Sequence, residues 1–352
     1  MDSSHLNRFR DVVNEYGLIL RIFRNCNGKN KWACICSAMD WIQIGLYGID
    51  ETSLERSNTD RASVKMITVV SCIDVMWEGI QQLHRVFFNT NGIPYKGNTE
   101  IFDKEIDDNR YWKDIRAAFA AHPTSLEGKE DGERRFASWS GGNFGKSGDF
   151  SVILYSNNPQ KESEVFDISF SQILEFATSR YRYLNVLAVK VEEIKEQWLE
   201  KWRKTPVLYS GDMIDDIGMM IKENANRADN DSLHYRLEEI KQAFETKPLG
   251  EKNINAVNRY REALKNELQE IGKCLQEMDY EHEYQMVDDC AAQKYIYANQ
   301  HIFEPEKGLV NWGVERLKEP LGQYIDLDDW ETIDELQVIV RAGWWIYNQE
   351  SE

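Results

Sequence analysis

The stretch NRYWKDIRAAFAAHPTSLEG, residues 109–128, carries one arginine into an alanine-rich turn and ends on a histidine directly before a proline. Apolar residues recur at intervals of three and four through it and just upstream, which predicts a helix from about residue 103 to residue 121. The stripe consists of Phe102, Ile106, Trp112, Ile115 and Phe119. Pro123 ends this helix, because the residue before a proline is pushed out of the helical region.

Helical spacing also precedes this stretch. It predicts helices over residues 5–25 and 31–48, separated by the turn-forming cluster RNCNGKNK. A long third helix is predicted through NTDRASVKMITVVSCIDVMWEGIQQLHRVFFN, opened by a Thr59 or Asp60 cap. This segment is apolar almost all round, which is typical of the central helix of a bundle.

Downstream the pattern changes. DFSVILYSN and EVFDISFSQ read as two strands joined by NPQKES, and helical spacing resumes at about residue 171. The Pro- and Gly-containing segment TPVLYSGDM marks a domain boundary, and everything beyond it reads as helix. The predicted fold is therefore mainly α: an N-terminal helical bundle over residues 1–205 with a small β-hairpin insertion around residues 135–170, then an all-helical domain over residues 206–352.

Composition limits the partners. The 352 residues carry a formal net charge of −18, so unspecific binding to nucleic acid or anionic lipid is disfavoured and any RNA contact has to be local. No apolar run is long enough to span a bilayer or to form a secretory leader. Six irregularly spaced cysteines favour reduced, buried thiols over a disulfide framework. These features predict a cytoplasmic protein without membrane contact.

Two segments resemble ligand-binding motifs, but their sequence context excludes the function that each motif indicates. SGGNFGKS, residues 140–147, resembles a phosphate-binding P-loop, but it has Ser140 where the first glycine belongs and leads into a strand instead of a helix. YEHEY around His282 has metal-ligand residue types without a metal-site spacing, and the cysteines also lack one. We expect neither a cofactor nor a bound metal.

Arg116 and His122 are the remaining candidates. Six residues of ideal helix advance about 9 Å and turn about 240°, so the two side chains do not share a helix face. The break at Pro123 releases His122 from that constraint. Carbonyl groups at a helix C-terminus favour a protonated imidazole, which suits a group that exchanges a proton near neutral pH.

The segment R116-A-A-F-A-A-H122-P resembles the R-x(4–6)-H motif of the HEPN superfamily, and the order of elements over residues 1–205 is similar to that of its helical bundles. Many members are metal-independent endoribonucleases of toxin–antitoxin, abortive-infection and CRISPR systems, in which two motif helices face each other. The resemblance implies His122 as general acid/base and Arg116 as the group that stabilises phosphoryl charge. Active members commonly carry a polar residue after the arginine, where this chain has Ala117.

A basic cluster accompanies the motif. Arg110, Lys113, Arg134 and Arg135 lie close to Arg116 in sequence and are predicted to bind RNA phosphates. We therefore expect a homodimeric endoribonuclease of toxin or anti-phage type, with an antitoxin or regulatory protein as a further partner. The alternative is a non-catalytic helical scaffold in which the motif helix is a dimer seam, and the acidity of the chain favours it.

Aromatic residues near the C-terminus suggest another contact. Trp344, Trp345 and Tyr347 lie in the closing sequence RAGWWIYN. Exposed aromatic side chains of this kind stack on bases or anchor partner proteins. Packing within their own domain is the alternative.

Overall fold

The computed structural model describes residues 1–50, 60–128, 132–139, 149–227, 229–279, 286–291, 293–306 and 308–351. Over these residues the protein is mainly helical with one small antiparallel sheet, which confirms the predicted fold class. Backbone contacts divide the chain into two compact units, Met1–Glu196 and Gln197–Glu352. The predicted boundary after residue 205 lies slightly beyond this division.

Unit 1 contains seven α-helices among its described residues: α1 Ser4–Asn14, α2 Leu18–Arg24, α3 Lys31–Asp50, α4 Asp60–Phe88, α5 Asp108–Arg116, α6 Phe170–Arg182 and α7 Leu184–Arg203, which continues past the division. The single helix predicted over residues 5–25 is two helices. Tyr16 and Gly17 have positive φ angles of 53° and 66°, which ends α1 and lets the chain turn into α2. The helix predicted from residue 171 is likewise divided, at Tyr183.

Helices α3 and α4 form the centre of unit 1, and glycines let them approach closely. A Cβ atom on Gly45 would lie 2.5 Å from the carbonyl oxygen of Cys72, and one on Gly79 would lie 2.9 Å from the side chain of Ile42. The facing sides are packed with buried aliphatic and aromatic residues, including Met76 and Ile80. Backbone-to-backbone contact at these glycines therefore sets the separation of the two helices.

The sheet has four strands in the order β1 Leu126–Glu127, β2 Arg134–Trp139, β3 Phe150–Ser156 and β4 Glu164–Ile168, each antiparallel to its neighbour. The two predicted strands correspond to β3 and β4, whereas β1 and β2 were missed. The sequence of β2, RRFASW, has an alternating burial pattern that includes a buried arginine, and the charge obscured its strand character.

The motif helix starts later than predicted. Helix α5 begins at Asp108, because Asp107 caps it by accepting hydrogen bonds from the backbone nitrogens of Asn109 (2.8 Å) and Arg110 (3.2 Å). Asp103 has a φ angle of 51°, which is incompatible with helix at the predicted start. Ile106 is 42% exposed and does not belong to the buried stripe.

The helices of unit 2 among its described residues are α8 Met213–Arg227, α9 Asp231–Glu245, α10 Glu251–Glu277, α11 Ile296–Phe303, α12 Val310–Leu321 and α13 Ile333–Ser351. The helical pattern predicted beyond residue 206 is interrupted after α10, because Met278 has a left-handed conformation (φ 55°) and caps this helix. Trp344 is fully buried in the core of this unit, and its indole nitrogen lies 3.3 Å from Asn299 Oδ1. Trp344 therefore packs within its own domain and is not an exposed contact for bases or a partner protein.

The close approach of α3 and α4 predicts that Gly45→Ala destabilises unit 1 by about 1–3 kcal/mol, since the added methyl group meets the Cys72 carbonyl. Gln43→Ala, two residues away on the exposed side of α3, should leave stability within about 0.5 kcal/mol. Hydrogen–deuterium exchange of α3 and α4 peptides in the full chain measures both effects. Equal protection in the two variants would contradict the close packing.

Candidate functional site

Aromatic packing fixes the motif helix. Trp112 of α5 stacks on Phe176 of α6 at a ring-centroid distance of 4.7 Å and an interplanar angle of 15°. Phe119 packs edge-on against Trp139 of β2 and Phe166 of β4. The helix is therefore held by α6 at one end and by the sheet at the other, and each aromatic pair adds about 0.5–1.5 kcal/mol beyond the burial of its area.

A π-helical turn, Ala117–Ala121, follows α5 and delivers His122 to the surface. The backbone nitrogen of His122 donates to the carbonyl oxygen of Ala117 (3.1 Å), a five-residue spacing that is found often at functional sites. His122 itself is non-helical (φ −140°, ψ 47°) and its side chain is exposed. The next residue is tied to the sheet, since Ala137 N donates to Pro123 O (2.6 Å).

Arg116 is paired with a carboxylate from α4. Its Nη1 donates to Asp74 Oδ2 at 2.9 Å, and Asp74 Oδ1 also accepts from the indole nitrogen of Trp112 at 3.3 Å. The Arg116 side chain remains 38% exposed. Its Nε is buried and has no acceptor among the described residues. Its Nη2 also forms no hydrogen bond with a described residue. Arg116 is thus anchored through one nitrogen and keeps donor capacity for an anion.

Arg116 and His122 do not contact each other. Arg116 turns towards α4, whereas His122 lies exposed beyond the π-helical turn. No hydrogen bond among the described residues joins the two side chains. A substrate contacting both therefore has to bridge the surface between the end of α5 and the turn that follows it.

Two of the predicted phosphate ligands are accessible on α5. Arg110 and Lys113 are exposed, and Arg110 forms only a long ion pair of 3.9 Å with Asp114. Burial raises the pKa of Asp114, and the charge of Arg110 opposes this shift. Burial also raises the pKa of the adjacent Tyr111, with smaller contributions from Asp114 and Asp167, to about 12. Arg110 and Lys113 thus provide positive charge one to two helical turns before Arg116.

The two arginines of β2 point to opposite sides of the sheet. Arg134 is exposed, as predicted for a phosphate ligand. Arg135 is 9% exposed and makes a bidentate pair with Glu164 at 2.9 and 3.0 Å and a further contact with Glu133 at 3.4 Å. Because these carboxylates already occupy its guanidinium, Arg135 serves the sheet and we leave it out of the RNA surface.

Sequence reasoning missed two groups that support the site. Asp74 was not singled out, because its partner Arg116 lies 42 positions away in the sequence. Arg180 of α6 is fully buried, lies over the Phe176 ring at 4.3 Å, and donates from Nη2 to Asn109 in the first turn of α5 (3.2 Å). Burial lowers the pKa of Arg180, which the nearby carboxylate of Asp108 opposes.

Other candidate features do not add a second site. Residues 140–147 and 280–284, which carry the P-loop-like and His282 motifs, lie outside the described residues. Within the described ranges, His, Cys, Asp and Glu side chains form no group suited to a metal ion. The helices that the structure describes include none long and apolar enough to cross a bilayer. The six cysteines are free thiols. Burial was predicted for them, but five are partly buried and Cys290 is exposed.

Comparisons with protein-family models, with curated proteins and with solved structures gave no match. The resemblance to the HEPN superfamily therefore stays a prediction from the sequence of the R116–H122 motif. The geometry of the site carries the functional argument.

Asp74 accepts from both Trp112 and Arg116, so its removal should lower the free energy of unfolding more than the removal of Arg116 does. Asp74→Ala removes the acceptor of a buried indole and leaves Arg116 unpaired, so it should cost about 2–3 kcal/mol. Arg116→Ala leaves the Trp112 bond in place and should cost about 1 kcal/mol or less. Urea denaturation, with exchange of α5 peptides as the local probe, measures both. A larger loss for Arg116→Ala would contradict this assignment.

Proposed function

We propose that the protein is a metal-independent endoribonuclease of the HEPN type, acting in a toxin or anti-phage role. The observation that carries the proposal is the arrangement at the end of α5: an anchored but partly exposed Arg116, then a π-helical turn, then an exposed His122. An anion has access to Arg116 because 38% of its side chain is exposed and its pair with Asp74 uses only Nη1.

The proposed reaction is transesterification within the RNA chain. His122 accepts the proton of a ribose 2′-OH, and the 2′-oxygen attacks the adjacent phosphorus. The bond from phosphorus to the 5′-oxygen of the next nucleotide breaks, and the imidazolium of His122 gives its proton to that oxygen. Arg116 donates hydrogen bonds to the phosphoryl oxygens, whose charge grows in the transition state. The products are a 2′,3′-cyclic phosphate and a 5′-hydroxyl, and atoms balance without a metal ion.

RNA would approach along the exposed side of α5. Arg110 and Lys113 contribute two accessible cations before the motif, and Arg134 of β2 contributes a third. The chain as a whole repels polyanions because its net charge is −18. Productive binding therefore depends on this local group of cations. A homodimer would bring together two copies of His122, and an antitoxin or regulatory protein would restrain the activity.

A non-catalytic interaction protein is the second candidate, and one observation favours it. Asp74 pairs with Arg116 within the protomer, as in a structural ion pair. In this case the alanines of the π-helical turn would serve close packing against a partner helix. The two candidates differ in whether Arg116 and His122 are needed for a chemical step.

Cleavage of a mixed cellular RNA pool in EDTA tests the proposal. The wild-type chain should produce fragments with 2′,3′-cyclic phosphate ends, and His122→Ala and Arg116→Ala should each lower the rate by about 100-fold or more. Arg8→Ala, an exposed arginine of α1, is the matched control and should cut at the wild-type rate. Intact RNA with the wild-type chain, or equal cutting by the His122→Ala variant, would favour the interaction protein.

The phosphate contacts predict a change in salt dependence. Each lost contact to single-stranded RNA lowers the slope of log K against log salt by about 0.7, so Arg110→Ala/Lys113→Ala should lower it by about 1.4. Arg135→Ala should leave the slope unchanged and should destabilise the sheet instead. Fluorescence anisotropy with a 2′-O-methyl oligonucleotide gives the slopes. A lower slope with Arg135→Ala alone would overturn the assignment of these residues.

A further inference from the structure

The outer face of α4 has a heptad pattern that its own protomer does not use. Residues at alternating intervals of three and four lie on one side of the helix and are exposed or partly exposed: Arg61, Val64, Thr68, Ser71, Val75 and Glu78. Spacing of this kind keeps side chains in line along a helix for a neighbouring helix to pack against. We call this row the α4 seam.

Trp41 of α3 borders the α4 seam, and its side chain is 51% exposed. A groove of about 450 Å³ lies beside Trp41 and is lined on the α4 side by Val75 and Glu78. A large exposed apolar group next to a groove is typical of a protein interface.

The α4 seam is complementary to itself when it is reversed. If a second α4 packs antiparallel around a point between residues 69 and 70, Arg61 faces Glu78 of the second copy, Val64 faces Val75, and Thr68 faces Ser71. The two charged residues form no ion pair within the described part of the protomer, so both are available. Their separation along the helix is about 25 Å, which places one ion pair at each end of the seam.

We infer that a second copy of this chain packs on the α4 seam in an antiparallel, two-fold arrangement. Isologous contacts require a surface that fits its own reversed copy, and the charges and the two valines satisfy this requirement. Trp41 and the groove beside it widen the interface, and burial of this apolar surface offsets the repulsion between two acidic chains.

The arrangement places the two candidate sites on one side of the dimer. Asp74 lies about 100° around the helix from Val75. A two-fold axis perpendicular to the plane of the paired helices places Asp74 of both copies on the same side of that plane. The two Asp74–Arg116 pairs would be about 14 Å apart along the helix direction. This consequence rests on the proposed function, whereas the seam itself does not.

Charge reversal in the full-length chain tests the seam without RNA. Wild type should sediment as a dimer, and Arg61→Glu or Glu78→Arg should each raise the dissociation constant about tenfold or more, because like charges then meet at both ends. The double variant should dimerise again. An equimolar mixture of the two single variants should form heterodimers, since every facing pair in the heterodimer has opposite charges.

An apolar variant provides a second test. Val64→Asp should weaken the dimer by a similar factor, whereas Val189→Asp, an exposed valine of α7, should not. Monomeric wild type at about 100 µM, single charge variants that dimerise normally, or mixtures that stay monomeric would each overturn the seam. Cleavage is assayed separately, so loss of the seam and loss of the proposed activity are distinguishable.

Discussion

Asp74 is the carboxylate on which the arrangement of unit 1 around the motif depends. It lies in the middle of α4 between the apolar residues Ile73 and Val75, and it accepts from the buried indole of Trp112 and from the guanidinium of Arg116. These two bonds fix α5 against α4, while ring packing fixes α5 against α6 and the sheet. The end of the motif helix is thereby determined from three sides, and His122 is left as the exposed group beyond it.

The main elements of the fold follow from local chemistry. The apolar positions of α3 and α4 predicted two long helices, and the strand-like segments DFSVILYSN and EVFDISFSQ predicted the pairing of β3 and β4. Breaks within helical patterns were harder to find, because Tyr16 and Met278 adopt positive φ angles that no sequence signal demands of those residue types. Strand β2 was missed because the alternation of RRFASW depends on a buried arginine, whose partner Glu164 lies far along the chain.

The sequence singles out the candidate site residues, but it does not contain their contacts. The arginine, the histidine and the proline after it stand out in one short stretch, and the exposure of Arg110, Lys113 and Arg134 follows the expectation. The pairing of Arg116 with Asp74 and the burial of Arg135 and Arg180 depend on tertiary packing. Spacing within α5 contains no information about carboxylates supplied by α4 or the sheet.

If Arg116 binds an RNA phosphate while it stays paired with Asp74, the NMR signal of its guanidinium should change when RNA binds. Nε–Hε resonances are recorded for the full-length chain, with Arg116→Lys for assignment and a saturating 2′-O-methyl oligonucleotide that cannot be cut. We expect the Arg116 signal to shift on RNA binding, while that of buried Arg180 does not shift. An unchanged Arg116 signal, with RNA bound, would show that Arg116 is only the partner of Asp74 and would contradict the proposed phosphate contact.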